Sequence, residues 1–211
     1  MNCKDIKSVS IIVLFLCVFN PYYLLAQQIE NEADITTAKT VLREYKLNPN
    51  NSIFTIKGTS SLHDWEMVSK SFSGTIAFGS ANADNIDIKE ISITIGVKTL
   101  DSDNRTMNKK TYDALKNDQH PNIYYRFKSV KKIRAVRANN FEATLSGTLN
   151  IAGKTRDVDI LVNILVKDNT INIVGKKPLK MSDFDVEPPT ALLGTIKTGN
   201  DITIEFNLNY L

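Results

Sequence analysis

The chain has 211 residues, 42% of them hydrophobic and 23% charged, with nine Gly and six Pro spread without a repeat. One globular domain fits that length and composition, and collagen-like, mucin-like and broadly disordered chains are excluded. The formal net charge of +3, from 26 basic and 23 acidic residues, is too near balance to imply a nucleic-acid partner. The start reads as a leader: Lys4 and Lys7 precede an unbroken apolar run over residues 11–19, and Leu24, Leu25 and Ala26 come before a polar stretch. That order describes a secretory signal over residues 1–26, cleaved after Ala26. The run is too short to span a bilayer, which needs roughly 20 residues. An uncleaved N-terminal anchor, extended by residues 22–26, is the other reading. The location expected is periplasmic or secreted.

Both cysteines, Cys3 and Cys17, fall inside the leader. The processed chain then has no disulfide, no thiolate ligand for zinc and no cysteine nucleophile, so its core alone must hold it. Residues 27–40 are polar and lack an apolar period, which reads as a linker or short helix. The domain proper is expected over residues 41–211.

From there the hydrophobic period is two. Phe54 and Ile56 alternate with Thr55 and Lys57; Phe72, Gly74, Ile76 and Phe78 form the next face. Ile91, Ile93, Ile95 and Val97 oppose Ser92, Thr94 and Gly96, and Ile123, Tyr125 and Phe127 follow the same rule. Phe141 to Ile151, Val158 to Ile164 and Ile202 to Tyr210 repeat it. Turn signals stand at Ala152-Gly153-Lys154, Lys167-Asp168-Asn169-Thr170 and Thr198-Gly199-Asn200-Asp201. One greasy and one wet face per segment is the mark of antiparallel sheet with a solvated side. The expected fold is therefore all-β, a closed antiparallel eight-stranded barrel, which removes exposed edges. A two-sheet β-sandwich is the alternative.

One segment breaks the pattern. After the polar cluster Asp101-Ser102-Asp103-Asn104, Met107, Thr111, Ala114 and Leu115 fall at helical spacing, and His120-Pro121 stops the run. This predicts one short inserted helix over residues 105–116. Pro188-Pro189 followed by Ala191-Leu192-Leu193 marks a second departure from strand over residues 186–194. Both suit the mouth of a barrel.

An eight-stranded barrel is just wide enough to be filled by side chains or to hold one small ligand. The inward face of Ile, Val, Leu and Phe, relieved by Gly74 and Gly147, suits an apolar guest. Burying about ten methylenes contributes about 8 kcal/mol at roughly 0.8 each, a dissociation constant of order 1 μM before ordering costs. A barrel packed solid by its own side chains fits the same pattern.

The order of the pieces is more specific than any one of them. Tyr45-Lys46-Leu47-Asn48-Pro49 leads to Ile53-Phe54-Thr55-Ile56-Lys57-Gly58, then Ser61-Leu62-His63-Asp64-Trp65 and Phe72-Ser73-Gly74-Thr75-Ile76. Arg105-Thr106-Met107 opens the helix, and His120-Pro121-Asn122-Ile123-Tyr124-Tyr125-Arg126-Phe127 follows it. Leu145-Ser146-Gly147-Thr148-Leu149, Met181-Ser182-Asp183-Phe184 and Asp201-Ile202-Thr203-Ile204-Glu205-Phe206 complete the set. From Tyr45 to Leu211 the chain resembles the YceI-like family, lipid- or polyisoprenoid-binding, lipocalin-like barrels exported by bacteria. It departs from the family where His63-Asp64-Trp65 stands in place of a Lys-His-Leu turn.

The resemblance implies a long apolar ligand, such as a polyisoprenoid, in the bore, and no further cofactor. The residues expected against it are Phe54, Ile56, Trp65, Ile93, Ile95, Met107, Leu115, Phe127, Leu145, Ile160, Ile204 and Phe206. His63 and Arg105 are the candidates for a ligand's polar end. Each has a structural alternative: His63 as a strand-end residue bonded to its turn, Arg105 as a partner for Asp101 or Asp103.

No catalytic set is expected. His63 and Asp64 are neighbours on a strand and point to opposite faces, and no serine or cysteine nucleophile motif accompanies them. No metal is expected either, because the spacing of His63 and His120 matches no compact ligand motif. Lys128, Lys131, Lys132, Arg134 and Arg137 form a basic cluster, read as a solvated hairpin or as a dock for anionic membrane at about 1 kcal/mol per basic residue. A homodimer is the further partner considered. The alternative function is a non-enzymatic stress-response or protein-interaction barrel with no stored ligand, using loops such as Lys176-Lys177-Pro178.

Overall fold

The computed structural model describes residues 42–211. The leader, both cysteines and the 27–40 segment lie outside the described residues. Eleven strands are present: β1 Arg43–Lys46, β2 Ile53–Ser60, β3 Trp65–Ser69, β4 Phe72–Ala81, β5 Ile86–Gly96, β6 Asn122–Arg137, β7 Asn140–Ile151, β8 Lys154–Lys167, β9 Thr170–Lys180, β10 Thr190–Ala191 and β11 Ile196–Tyr210. Ten lie along one antiparallel path, β1-β4-β5-β6-β7-β8-β9-β11-β2-β3, and β10 adds to β11.

The period-two pattern explains the wall. On β7, Phe141, Ala143, Leu145, Gly147, Leu149 and Ile151 are all buried while the residues between them are not. They stand opposite Ile164, Val162, Ile160 and Val158 of β8 in register. The β7–β8 hairpin turns on Ala152 (φ 50°) and Gly153 (φ 83°); two positive φ values are what a two-residue turn needs to match strand twist.

The all-β expectation and its single helix agree with the structure. The strand count does not, since ten strands share the path rather than eight. Beyond the seven alternating segments named above, the path takes in three more strands, the short β1 and β3 and β9, whose Lys-Lys-Pro run reads as loop. All the strands belong to one curled sheet, not two facing ones. The curl brings distant parts together. Lys46 and Leu211 exchange two backbone hydrogen bonds, of 2.8 and 2.9 Å, and Val68 and Asp101 exchange two of the same lengths.

The helix, α1, is Arg105–Ala114, two residues shorter than expected. Asn104 caps it, its side chain accepting from the Thr106 and Met107 amides at 3.0 Å each. Lys116 takes a left-handed φ of 53° and ends the run. The Tyr112 hydroxyl donates to the Leu100 carbonyl at 2.7 Å, tying α1 to the chain after β5.

Two other expectations are corrected. Lys176-Lys177-Pro178 is strand, inside β9. The Thr198-to-Asp201 turn signal is a register irregularity inside β11, because Gly and Asn in a strand favour a bulge as readily as a reversal.

One seam in the wall lies between β8 and β9. The β8–β9 ladder runs from Lys167↔Thr170 to Val162↔Gly175 and stops. Beyond it β8 stays paired to β7 alone, and β9 to β11 alone. Pro178 sits here, where its missing N–H breaks no ladder. The seam is crossed again at its far end: the Arg156 Nε donates to the Asp183 carbonyl at 2.7 Å, and Lys154 pairs with Asp185 at 2.7 Å.

Candidate functional site

Two apolar cavities lie along the inner face. The mouth cavity, about 320 Å³, is roofed by Met107, Thr111 and Ala114 of α1 and by Leu115, which caps its C-terminus. Ile56, Trp65, Met67 and Ile202 wall it from the strands, and Phe184 and Val186 from the turn after β9. The inner cavity is about 70 Å³ and is ringed by side chains from β2, β5, β6, β7, β8, β9 and β11. Its size is limited by rings that lie over glycines. A Cβ on Gly147 would stand 2.7 Å from the Tyr125 ring, and one on Gly175 would stand 2.6 Å from Phe206 Cζ. Glycine at each position makes room for a ring that then fills the bore.

Size separates the two. Ligand pockets measure roughly 300–1,000 Å³, and an apolar void of about 150 Å³ accepts benzene. The mouth cavity reaches that range and takes a chain of about a dozen carbons on the benzene scale. The inner cavity is under half of a benzene site.

The expected ligand residues divide accordingly. Ile56, Trp65, Met107, Leu115 and His63 line the mouth cavity. Phe54, Ile93, Ile95, Leu145, Ile160, Ile204 and Phe206 line the inner one. Phe127 lines neither; it packs against the core where β6 shifts register between Phe127 and Ser129. Arg105 is exposed, on an open outer groove with Lys98, Lys109 and Lys116. It neither faces the bore nor pairs with Asp101 or Asp103. Asp101 instead accepts from Asn108 Nδ2 at 2.7 Å and from the Asp103 amide at 2.9 Å, which together hold its carboxyl below the usual range.

His63 belongs to a turn. Its amide meets Ser60 Oγ at 3.2 Å, its carbonyl accepts from the Ser60 hydroxyl at 2.8 Å, and its Nδ1 lies 2.5 Å from the Asp64 carbonyl oxygen. Trp65 lays its indole over Gly58 and donates from Nε1 to the Thr59 carbonyl at 2.9 Å. Three of the five basic residues of the cluster are ion-paired: Lys128 with Asp157 at 2.6 Å, Lys131 with Asp159 at 2.5 Å and Arg134 with Glu142 at 3.0 Å.

Three groups on the inner cavity escaped the sequence reading. Tyr125 and Tyr210 bring hydroxyls that are buried without a hydrogen-bond partner. Burial, with a smaller push from the Asp159 charge, raises the Tyr125 phenol to about 12; burial raises Tyr210 as well. Lys177 shares the inward parity of Ile171, Ile173 and Leu179 and lines the same cavity. The signal was present in that parity, which continues through the lysine.

The fold has a counterpart. A YceI-like domain matches residues 45–210. The chain belongs to the YceI-like family. Solved structures similar to this YceI-like chain include BcnA of Burkholderia cenocepacia, at 21% identity and TM-score 0.61, covering 77% of this chain and 98% of that one. A polyisoprenoid binding domain from Saccharophagus degradans is 14% identical with TM-score 0.61, covering 79% and 97%. The Campylobacter jejuni YCEI protein is 22% identical with TM-score 0.53, covering 67% and 81%. No curated protein matches the sequence.

Proposed function

We propose that this YceI-like protein is an exported, non-catalytic carrier of a long apolar lipid, a polyisoprenoid or a molecule of similar chain, held with its hydrocarbon under α1. The observation that carries the reading is the mouth cavity: about 320 Å³ walled by Ile56, Trp65, Met107 and Leu115 and roofed by a helix. Burying about ten methylenes there contributes on the order of 8 kcal/mol before ordering costs. Family membership and the fold shared with a polyisoprenoid binding domain support the same ligand class. The leader-like start of the sequence supports export. Ion pairing of three of the five basic residues on β6, Lys128, Lys131 and Arg134, favours a solvated hairpin over membrane docking.

Organic extraction and mass analysis of protein purified from its native host tests the proposal. A copurifying long-chain lipid at near-stoichiometric amount is expected; protein free of lipid from several growth conditions would count against it. A second reading, a barrel without a stored ligand, draws on the inner cavity, which Tyr125 and Phe206 fill to about 70 Å³. It is favoured if the extract is empty.

A further inference from the structure

The inner cavity is apolar except at three points. Tyr210 is 0% exposed and Tyr125 is 9% exposed, and neither hydroxyl has a partner. A buried donor left unmade loses its water without compensation, which costs more than a made hydrogen bond gains. Two such donors on one small cavity mark a place for an acceptor. The third point is Lys177, the one charged residue among the described residues on that wall. It stands where β8 and β9 part. Asp159, whose carboxyl feels the Lys177 charge, is exposed on the outer face and already engaged by Lys131 at 2.5 Å.

We propose that the inner cavity is a carboxylate subsite: it receives the carboxyl end of a fatty-acid-like amphiphile, with Tyr125 and Tyr210 donating hydrogen bonds and Lys177 supplying the countercharge. The volume agrees. About 70 Å³ is enough for a small polar group and less than half of the roughly 150 Å³ void that accepts a benzene ring. The route agrees too. Ile202 and Ile56 wall the mouth cavity, and Ile204 and Phe54, the next inward positions on the same two strands, wall the inner one. Two residues of strand are about 7 Å, so the hydrocarbon runs out of the inner cavity straight into the mouth. Both phenols stay protonated, and so remain donors, throughout the neutral range. At the mouth, Arg105 faces away, the His63 Nδ1 is turned to its own chain, and the one lysine on the lining, Lys110, already donates to the Thr190 carbonyl.

This subsite rests on the lipid-carrier reading, and the test separates the two. Delipidated protein is titrated with palmitate, methyl palmitate and hexadecane in competition with a fluorescent lipid. Palmitate is expected to bind at least tenfold tighter than its methyl ester, and K177M is expected to erase that preference. The Y125F/Y210F double variant is expected to weaken palmitate and ester severalfold while leaving hexadecane unchanged. On the unaltered protein, the carboxyl ¹³C resonance of bound palmitate is expected to be shielded from a soluble paramagnetic agent. Equal affinity for palmitate and hexadecane, or a carboxyl broadened by the agent, overturns the subsite and leaves the carrier reading intact. Failure of all three probes to bind overturns both.

Discussion

The ring of Tyr125 on β6 rests against Gly147 on β7, so closely that a methyl group at the glycine would stand 2.7 Å from the ring and 2.6 Å from the Arg126 carbonyl oxygen. The glycine is what lets an aromatic residue point into a bore this narrow. Gly147→Ala should therefore force the ring off its seat and destabilise the protein by about 1–3 kcal/mol, the usual cost of overpacking. Chemical denaturation measures it. Adding Tyr125→Leu should recover part of the loss, a coupling that a double-mutant cycle reads directly. Independent, additive effects would show that ring and glycine do not depend on each other.

Trp65 is the only tryptophan in the sequence, and it lines the mouth cavity. A hydrocarbon entering there replaces water beside the indole. Its emission should move to shorter wavelength on addition of a long-chain lipid. Ala114→Trp is expected to fill the roof of the cavity and abolish lipid binding, measured by displacement of a fluorescent lipid, with little change in Tm. Full binding by that variant would place the ligand elsewhere.

The Tyr125 phenol, held up to about 12 by burial, predicts a one-sided pH dependence. A raised folded value means that stability is complete below the ordinary phenol value near 10. It falls as pH rises from about 10 towards 12, by about 1.4 kcal/mol per pH unit for each such group. Tyr210 acts in the same direction. Thermal melts between pH 8 and 12 should show a steep alkaline loss, shallower in Tyr125→Phe. A melting temperature flat across that range would mean that both hydroxyls reach water.

The far end of the β8–β9 seam depends on Arg156 and Lys154 gripping residues 183 and 185. Lys154 holds the Asp185 carboxyl below the usual range, so that grip is present above about pH 4 and is lost as the pH falls and the carboxyl protonates. The pair is exposed, and its removal should change global stability little. Local opening is the sensitive readout. In Lys154→Ala/Arg156→Ala, amide exchange over residues 181–186 should quicken severalfold while the β9–β11 ladder is unaffected.

Much of this architecture is legible in the residue order. The clean alternations of β7 and β11 name their own inward faces, and the spacing of Met107, Ala114 and Leu115 names the roof. β9 was obscured because Lys176, Lys177, Pro178 and Lys180 look like loop; they are the residues that suit a strand with an open edge. The site was half legible for a related reason. Phe184 and Val186 reach the mouth cavity from a segment with no period at all. Phe127 obeys the period and packs on the core, beside a register shift in β6, yet borders neither cavity. Nor does alternation reveal which inward side chains collapse onto glycine and which leave a void.

The paired backbone bonds between Lys46 and Leu211 set the first strand of the domain beside its last residue. A short linker from residue 211 to residue 43 would ask for no rearrangement, and the tight turn between β6 and β7 offers a place to cut. A circularly permuted chain starting at Asn140 should regain the same wall and the same cavities. The topology is in that sense a loop of chain whose point of beginning is a matter of genetic convenience, and a reporter fused at either new end would sit far from the Lys46–Leu211 junction in sequence while leaving it unbroken.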